Sequence, residues 1–229
     1  MKKIVDFPAA KHGHLSDAVR GRIEQMVLRG DIEAGERVNE LRLAGQLKVS
    51  RGPVREALRG LERAGLLTAI PNRGWFVRRL ELEEALQLYD VRAGLARTAA
   101  RLAAERADAK QIKRLQALFQ RMELACAARD AAQFNQWNSA FHAELMDASA
   151  NPRLVALNES VRNELQLYLG KGVVGPAQLR RSQAEHRLVL AAVERGDAEA
   201  AGAAFEAHVL AGKHRLLDYL GSRKVSKVS

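Results

Sequence analysis

VNELRLAGQLKVSRGPVREALRGLERAGLL, residues 38–67, followed at 71–77 by PNRGWFV, decides the fold of the N-terminal part of the chain. Leu41, Leu43, Ala44 and Leu47 recur at helical spacing and give a short helix. Ser50 is a good N-cap for a second helix from Arg51 to about Ala64, with Gly65 at its end and Pro53 in its first turn, where a missing N–H does little harm. Leu66 to Ile70 and Trp75 to Val77 then flank Pro71-Asn72-Arg73-Gly74, which predicts a small hairpin with a four-residue turn. Working upstream, Leu15, Val19, Ile23, Met26 and Val27 mark a further helix closed by Gly30, and Glu33-Ala34-Gly35-Glu36 is a turn. Three helices and a hairpin make a winged helix-turn-helix, assigned to residues 1–80.

Downstream of Leu82 the character changes. Ala and Leu dominate, and breakers at Asp108, Ala128-Arg129-Asp130, Asn151-Pro152, Gly170 to Pro176 and Gly196-Asp197 divide the rest into about six helices. The expected fold is therefore mainly α: the winged domain, then an all-helical bundle over 81–229, with the tail from Gly221 to Ser229 frayed. With 229 residues, 47% hydrophobic and 28% charged, the chain has the composition of a folded protein. No run approaches the roughly 18 apolar residues of a membrane span, and MKKIVDFPAAKHGHL lacks an apolar signal core, which points to the cytoplasm. A single cysteine, Cys126, excludes an intrachain disulfide framework and a multi-thiolate zinc site.

The net charge of +10 is uneven: residues 1–80 hold 16 Lys+Arg against 9 Asp+Glu. A basic module on a nearly balanced remainder suits a polyanion, most often nucleic acid, although basic surfaces also serve solubility. On the 51–64 helix, Arg51, Arg55 and Arg59 form one stripe at i, i+4, i+8, while Val54, Ala57, Leu58 and Leu61 form a separate apolar face. Such a stripe fits the major groove, where guanidinium holds a phosphate or a guanine edge bidentately; it also fits a solvated face with Glu56 and Glu62 as partners. The order of residues over 12–79 resembles the DNA-binding domain of GntR-family bacterial regulators. That resemblance implies that Arg51 and Arg55 contact DNA, that Ser50 helps at a phosphate, and that Arg73 and Gly74 form a wing tip reaching the minor groove. Gly52 departs from the family, which usually has a hydroxyl residue there, so operator sequence does not carry over.

Three of the six histidines lie in the bundle where helix geometry can bring them together. His186 and His208 sit ten and eleven residues either side of the Gly196-Asp197 turn, so in an antiparallel hairpin rising ~1.5 Å per residue they stand level. Asn138 lies one turn before His142 and shares its face. Imidazoles with an oxygen donor suit Zn, Ni and similar divalent ions, whereas separate hydrogen-bonded histidines are the plainer alternative. LYDVRAGLARTAARLAA, WNSAFHAELMDASANPRL and EHRLVLAAVERGDAEAA resemble the effector-binding FCD domain of the FadR subfamily over about 82–219. Many members of that group bind a divalent metal through an aspartate and three histidines, with a carboxylate effector completing the site. By this resemblance His142, His186 and His208 are metal ligands, Asn138 replaces the aspartate as a weaker donor, and Arg92 receives the effector carboxylate. The other reading of Arg92 is a buried ion pair, with Glu164 or Glu206 as partner.

These readings lead to a ligand-responsive bacterial transcription regulator, a homodimer on a palindromic operator, with a divalent ion (Zn, Ni or Mn) and a small organic acid as effector. One alternative keeps the fold but senses a long-chain acyl thioester without metal. Another makes the histidines a metallohydrolase centre; against it, no HExxH-like sequence occurs, and Glu185 beside His186 is expected on another face, so no catalytic residue is assigned.

Overall fold

A computed structural model describes residues 12–169 and 176–225, which form two compact units. The first holds the chain up to Ala85 together with residues from Arg162 to the end of the described segment. Its elements are α1 (His12–Leu28), β1 (Arg37–Val38), α2 (Glu40–Leu47), α3 (Arg51–Arg63), β2 (Leu67–Ile70) and β3 (Gly74–Val77). The core is built from one face of each helix: Val19, Ile23 and Val27, then Leu43 and Ala44, then Val54, Ala57, Leu58 and Leu61, closed by Leu66, Leu67 and Val77. The Asn39 side chain accepts from the Arg42 N–H and starts α2. Ser50 occupies the N-cap position of α3 in extended conformation, but its hydroxyl makes no capping hydrogen bond. At the other end, Gly65 N–H donates to Glu62 O and Leu66 N–H to Leu61 O, a Schellman closure that needs the left-handed φ of +73° at Gly65.

The hairpin is the expected one with two corrections. Gly74 pairs with Ile70 and belongs to β3, so the turn is the three residues Pro71-Asn72-Arg73, with Asn72 at φ +60°. A third strand, β1, pairs antiparallel with β3 through Arg37↔Phe76 and Val38↔Trp75, giving the sheet order β1-β3-β2. The first unit also takes in the end of the helix from Pro152 to Leu169, which the sequence division at 80/81 assigns to the bundle. There Asn163 Nδ2 donates to Glu24 of α1, and Glu164 accepts from Arg78 at 2.7 Å just after β3.

Six helices follow: α4 (Leu82–Arg106), α5 (Ala109–Ala127), α6 (Ala131–Ala148), α7 (Pro152–Leu169), α8 (Pro176–Glu194) and α9 (Ala198–Val225). The second unit comprises Leu86–Val161 and the chain from Gly172 onward. Its breakers act through caps. Asp108 and Gln111 form a capping box before α5, Asp130 accepts from Gln133 N–H, Asn151 from Leu154 N–H, and Asp197 from Ala200 N–H. Gly196, at φ +67°, turns α8 back into α9. Phe119, Met122, Phe134, Phe141, Leu145, Val189, Phe205 and Val209 fill the interior. The backbone of α9 continues through Gly221 to Val225 where a frayed tail was expected, because one Gly weakens a helix without ending it; the last four residues lie outside the described segment.

Candidate metal centre and nucleic-acid interface

Burial of the Val54, Ala57, Leu58 and Leu61 face turns Arg51, Arg55 and Arg59 outward, and all three are exposed. The first two have Glu40, at the start of α2, as a neighbour. Its Oε2 accepts from Arg55 Nη2 at 3.1 Å and Nε at 3.3 Å, and lies 3.8 Å from Arg51 Nη2. Glu56 instead accepts from the Ser16 hydroxyl. Arg73 stands exposed on the hairpin turn with its guanidinium 5.5 Å from the Phe76 ring centre, a cation–π contact. Gly74 beside it has φ +92°. The structure thus presents the expected cationic residues of the first unit on its surface, with an acidic residue of α2 orienting two of them.

In the second unit, His142 of α6, His186 of α8 and His208 of α9 converge, with one ligand atom from each ring within 4.8 Å of the others. Ring centres are 4.2 Å apart for His186 and His208, and 5.1 Å from His142 to each. The level placement about the Gly196 turn is what aligns the first two. Phe141 meets His186 edge-on at 5.3 Å and Phe205 meets His142 edge-on at 5.1 Å, so the cluster has apolar walls. Burial drives the His186 pKa well below 6.5, and the neighbouring His208 adds to the effect. His208 is also lowered, chiefly by burial, with the Glu185 hydrogen bond opposing it. Both rings are therefore neutral near pH 7, the state in which imidazole ligates metal.

Around this centre the partners fall into place. His186 Nδ1 donates to Ser182 O at 2.6 Å, and His208 Nδ1 donates to Glu185 Oε2 at 2.8 Å. Arg215 Nη1 in turn donates to both Glu185 oxygens, at 2.9 and 3.2 Å. Burial alone would raise the Glu185 carboxyl, but the hydrogen bonds from His208 and Arg215 outweigh it and hold the group below the usual carboxylate value. Arg92 of α4, half-buried, places Nη2 3.3 Å from His142 Nδ1. The two acids considered as its ion-pair partners are engaged by other arginines, Glu164 by Arg78 and Glu206 by Arg97. Asn138 Oδ1 is buried and has no hydrogen-bond partner among the described residues. An orphaned oxygen one turn before His142 costs free energy unless something binds it, which fits an oxygen donor to an ion at the histidines.

Glu185 corrects one expectation. It does not point away: α9 packs along that flank of α8 and brings His208 Nδ1 to it. The i, i+7 spacing of His208 and Arg215, two turns of α9, was the available signal for the outer part of the set. A carboxylate locked between a histidine and an arginine is a holder of side chains and a poor general base.

Residues 87–211 match the FCD domain, and residues 15–77 match the bacterial regulatory proteins of the gntR family. The chain is 30% identical over 191 residues to the HTH-type transcriptional regulator YdhC of Bacillus subtilis, covering 83% of this chain and 84% of that protein. It is 37% identical to the Nta operon transcriptional regulator of Aminobacter aminovorans over 58% of this chain and 62% of that one. The solved structure of McbR/YncC from E. coli shares the fold, with a TM-score of 0.76 at 24% identity, covering 90% of this chain and 98% of the other. Taken with the winged domain and helical bundle, these matches show that the chain belongs to the GntR family of bacterial regulatory proteins, in its FCD-domain branch, and that it is a ligand-responsive transcriptional regulator and not an enzyme.

Proposed function

We propose that the protein is a cytoplasmic, homodimeric regulator of the FadR subfamily that binds a palindromic DNA operator through α3 and the wing and is controlled by a small organic acid held at a divalent ion. Arg51, Arg55 and Arg59 line the major groove in this reading, Ser50 meets a phosphate, and Arg73 with Gly74 enters the minor groove. The ion, Zn, Ni or Mn, is held by His142, His186 and His208 with Asn138 as a weak fourth donor. When bound, it supplies a Lewis-acidic centre for a carboxylate. Arg92 supplies the planar fork that pairs with the same carboxylate. The observation that carries the reading is the convergence of three buried ring nitrogens within 4.8 Å beside the unsatisfied Asn138 Oδ1.

The test is elemental analysis of protein purified without chelator, set against the triple His142→Ala, His186→Ala, His208→Ala variant. The expected result is close to one divalent ion per wild-type chain and none in the variant. Equal metal content in both, with acid-responsive DNA binding surviving in both, would overturn the metal and favour a metal-free effector. Substituting Asn138 by Asp is expected to tighten the ion, because a carboxylate is the stronger oxygen ligand.

A further inference from the structure

Glu40 and Arg55 meet along one edge of the guanidinium. The donors of an arginine lie along two edges: Nε with one proton of Nη2 at the side, and Nη1 with the other proton of Nη2 at the end. Glu40 Oε2 accepts from Nε at 3.3 Å and from Nη2 at 3.1 Å, which is the side edge. Nη1 has no hydrogen-bond partner among the described residues, so the end edge is open. Arg51 Nη2 lies 3.8 Å from the same oxygen, near enough to feel its charge and too far for a hydrogen bond. The carboxylate itself is well anchored. Glu40 stands in the first turn of α2, where the helix N-terminus favours negative charge, and its side chain is 20% exposed against 52% for Arg55 and 61% for Arg51. The acid is the fixed member of the group, and the arginines reach outward from it.

We propose that Glu40 is a positioning residue for sequence reading: it holds Arg55 by the side edge so that the end edge is presented to O6 and N7 of a guanine, and its charge makes the same arginines a poorer site for phosphate. The inference rests on the reading of α3 as the helix in the major groove and adds the residue that decides how α3 discriminates. A bidentate grip on guanine needs two N–H groups in one plane, which the open edge supplies. An arginine already held has less rotamer freedom to lose when it takes that grip. A phosphate carries a full negative charge and is repelled by a carboxylate beside the guanidinium, whereas the guanine edge offers neutral acceptors and is repelled far less. Specificity is a difference of affinities, so a group that costs more on phosphate than on base raises it even while lowering the total attraction. A mere tie between α2 and α3 would affect stability and leave that difference alone.

The test takes the full chain, a duplex that the wild type enriches from a random-sequence library, and a scrambled duplex of the same length, with a thermal melt of every variant. Glu40→Ala is expected to bind the scrambled duplex about 2- to 5-fold more tightly, through the lost negative charge, and the enriched duplex more weakly, so that the ratio of the two affinities falls by about 10-fold or more. Glu40→Gln keeps the size and an oxygen acceptor without the charge. It is expected to show the same gain on the scrambled duplex and a smaller fall in the ratio, about 3-fold. With Arg55→Ala already present, Glu40→Ala should change the ratio by no more than about 2-fold, because the residue acts through Arg55. Equal losses on both duplexes, or an unchanged ratio in both Glu40 variants, would reduce Glu40 to a tie between two helices and overturn the proposal. A fall in the ratio that persists undiminished beside Arg55→Ala would overturn it too, since Glu40 would then act on the bases directly. If Arg55→Ala alone binds both duplexes as the wild type does, the reading of α3 falls together with the proposal. A wild-type ratio in Glu40→Ala beside a weakened Arg55→Ala overturns the proposal and leaves that reading standing.

Discussion

Glu185 shows how a single residue sets what the histidines can do. By accepting from His208 Nδ1 it directs the bare Nε2 inward, and Arg215 keeps it charged and in place. Glu185→Gln is expected to weaken divalent-metal binding by about 10- to 100-fold while leaving the helical unit folded, measurable by zinc titration beside a thermal melt. The buried rings also impose a pH dependence on the metal-free protein. His186 and His208 have lowered pKa values when folded, whereas the unfolded chain takes up protons near ~6.5. Their contribution is complete above that value and is lost as the pH falls below it, by at most about 1.4 kcal/mol per pH unit for each ring. Chelator-treated protein should therefore melt at a lower temperature at pH 5.5 than at pH 7.5, and the triple-alanine variant should lose less over that interval. His186 and His208 were legible from spacing, because the turn between their helices fixes their height, whereas His142 joined them through the family resemblance. Glu185 was not, since a residue adjacent to a ligand looks sideways on its own helix, and only the packing of α9 reveals what stands there.

At the level of elements, the turn after α3 is a sensitive joint. Gly65 combines φ +73° with a position where an added Cβ would stand 2.6 Å from Glu164 Cδ, a carboxylate already held by Arg78. Gly65→Ala is expected to cost at least about 1–2 kcal/mol from the left-handed backbone, read from denaturant unfolding, while Gly52→Ala, with open space around its Cβ position, should cost little. On the solvent side of the same helix, Arg51→Ala or Arg55→Ala is expected to weaken specific operator binding by roughly 1 to 3 kcal/mol without changing the melt, since the apolar face of α3 is untouched. Undiminished operator affinity in both variants would remove α3 from the interface. Most of these elements were written locally: helical apolar spacing, the break at Asp108, the glycines at 30, 65 and 196. β1 was not, because two residues carry no alternation to read and Arg37–Val38 become a strand only when β3 offers its edge. Gly74 likewise joined the strand and not the turn because its pairing with Ile70 extends the ladder by one residue.

For the whole molecule, the basic N-terminal module and the near-neutral bundle divide the labour between polyanion and small ligand, and the number of chains on an operator is open to a direct measurement. Each arginine of the α3 stripe occurs once per chain, so a two-fold dimer brings two copies to the DNA and a monomer one. A cationic side chain on a phosphate releases about 0.9 counterion equivalents, and its removal flattens the plot of log affinity against log salt by that amount. Arg59 lies two turns beyond Arg51, exposed, and unlike Arg51 and Arg55 it is not drawn to Glu40, which makes it the stripe residue best suited to a phosphate. Arg59→Ala is expected to flatten the slope by about 2 for a homodimer and by about 1 for a monomer, with the loss nearly equal on operator and unrelated DNA. Sedimentation of the free protein at micromolar concentration supplies the independent count. A change in slope near 1, together with a monomer's sedimentation coefficient with and without operator, would contradict the dimer and require that one winged domain read its site alone.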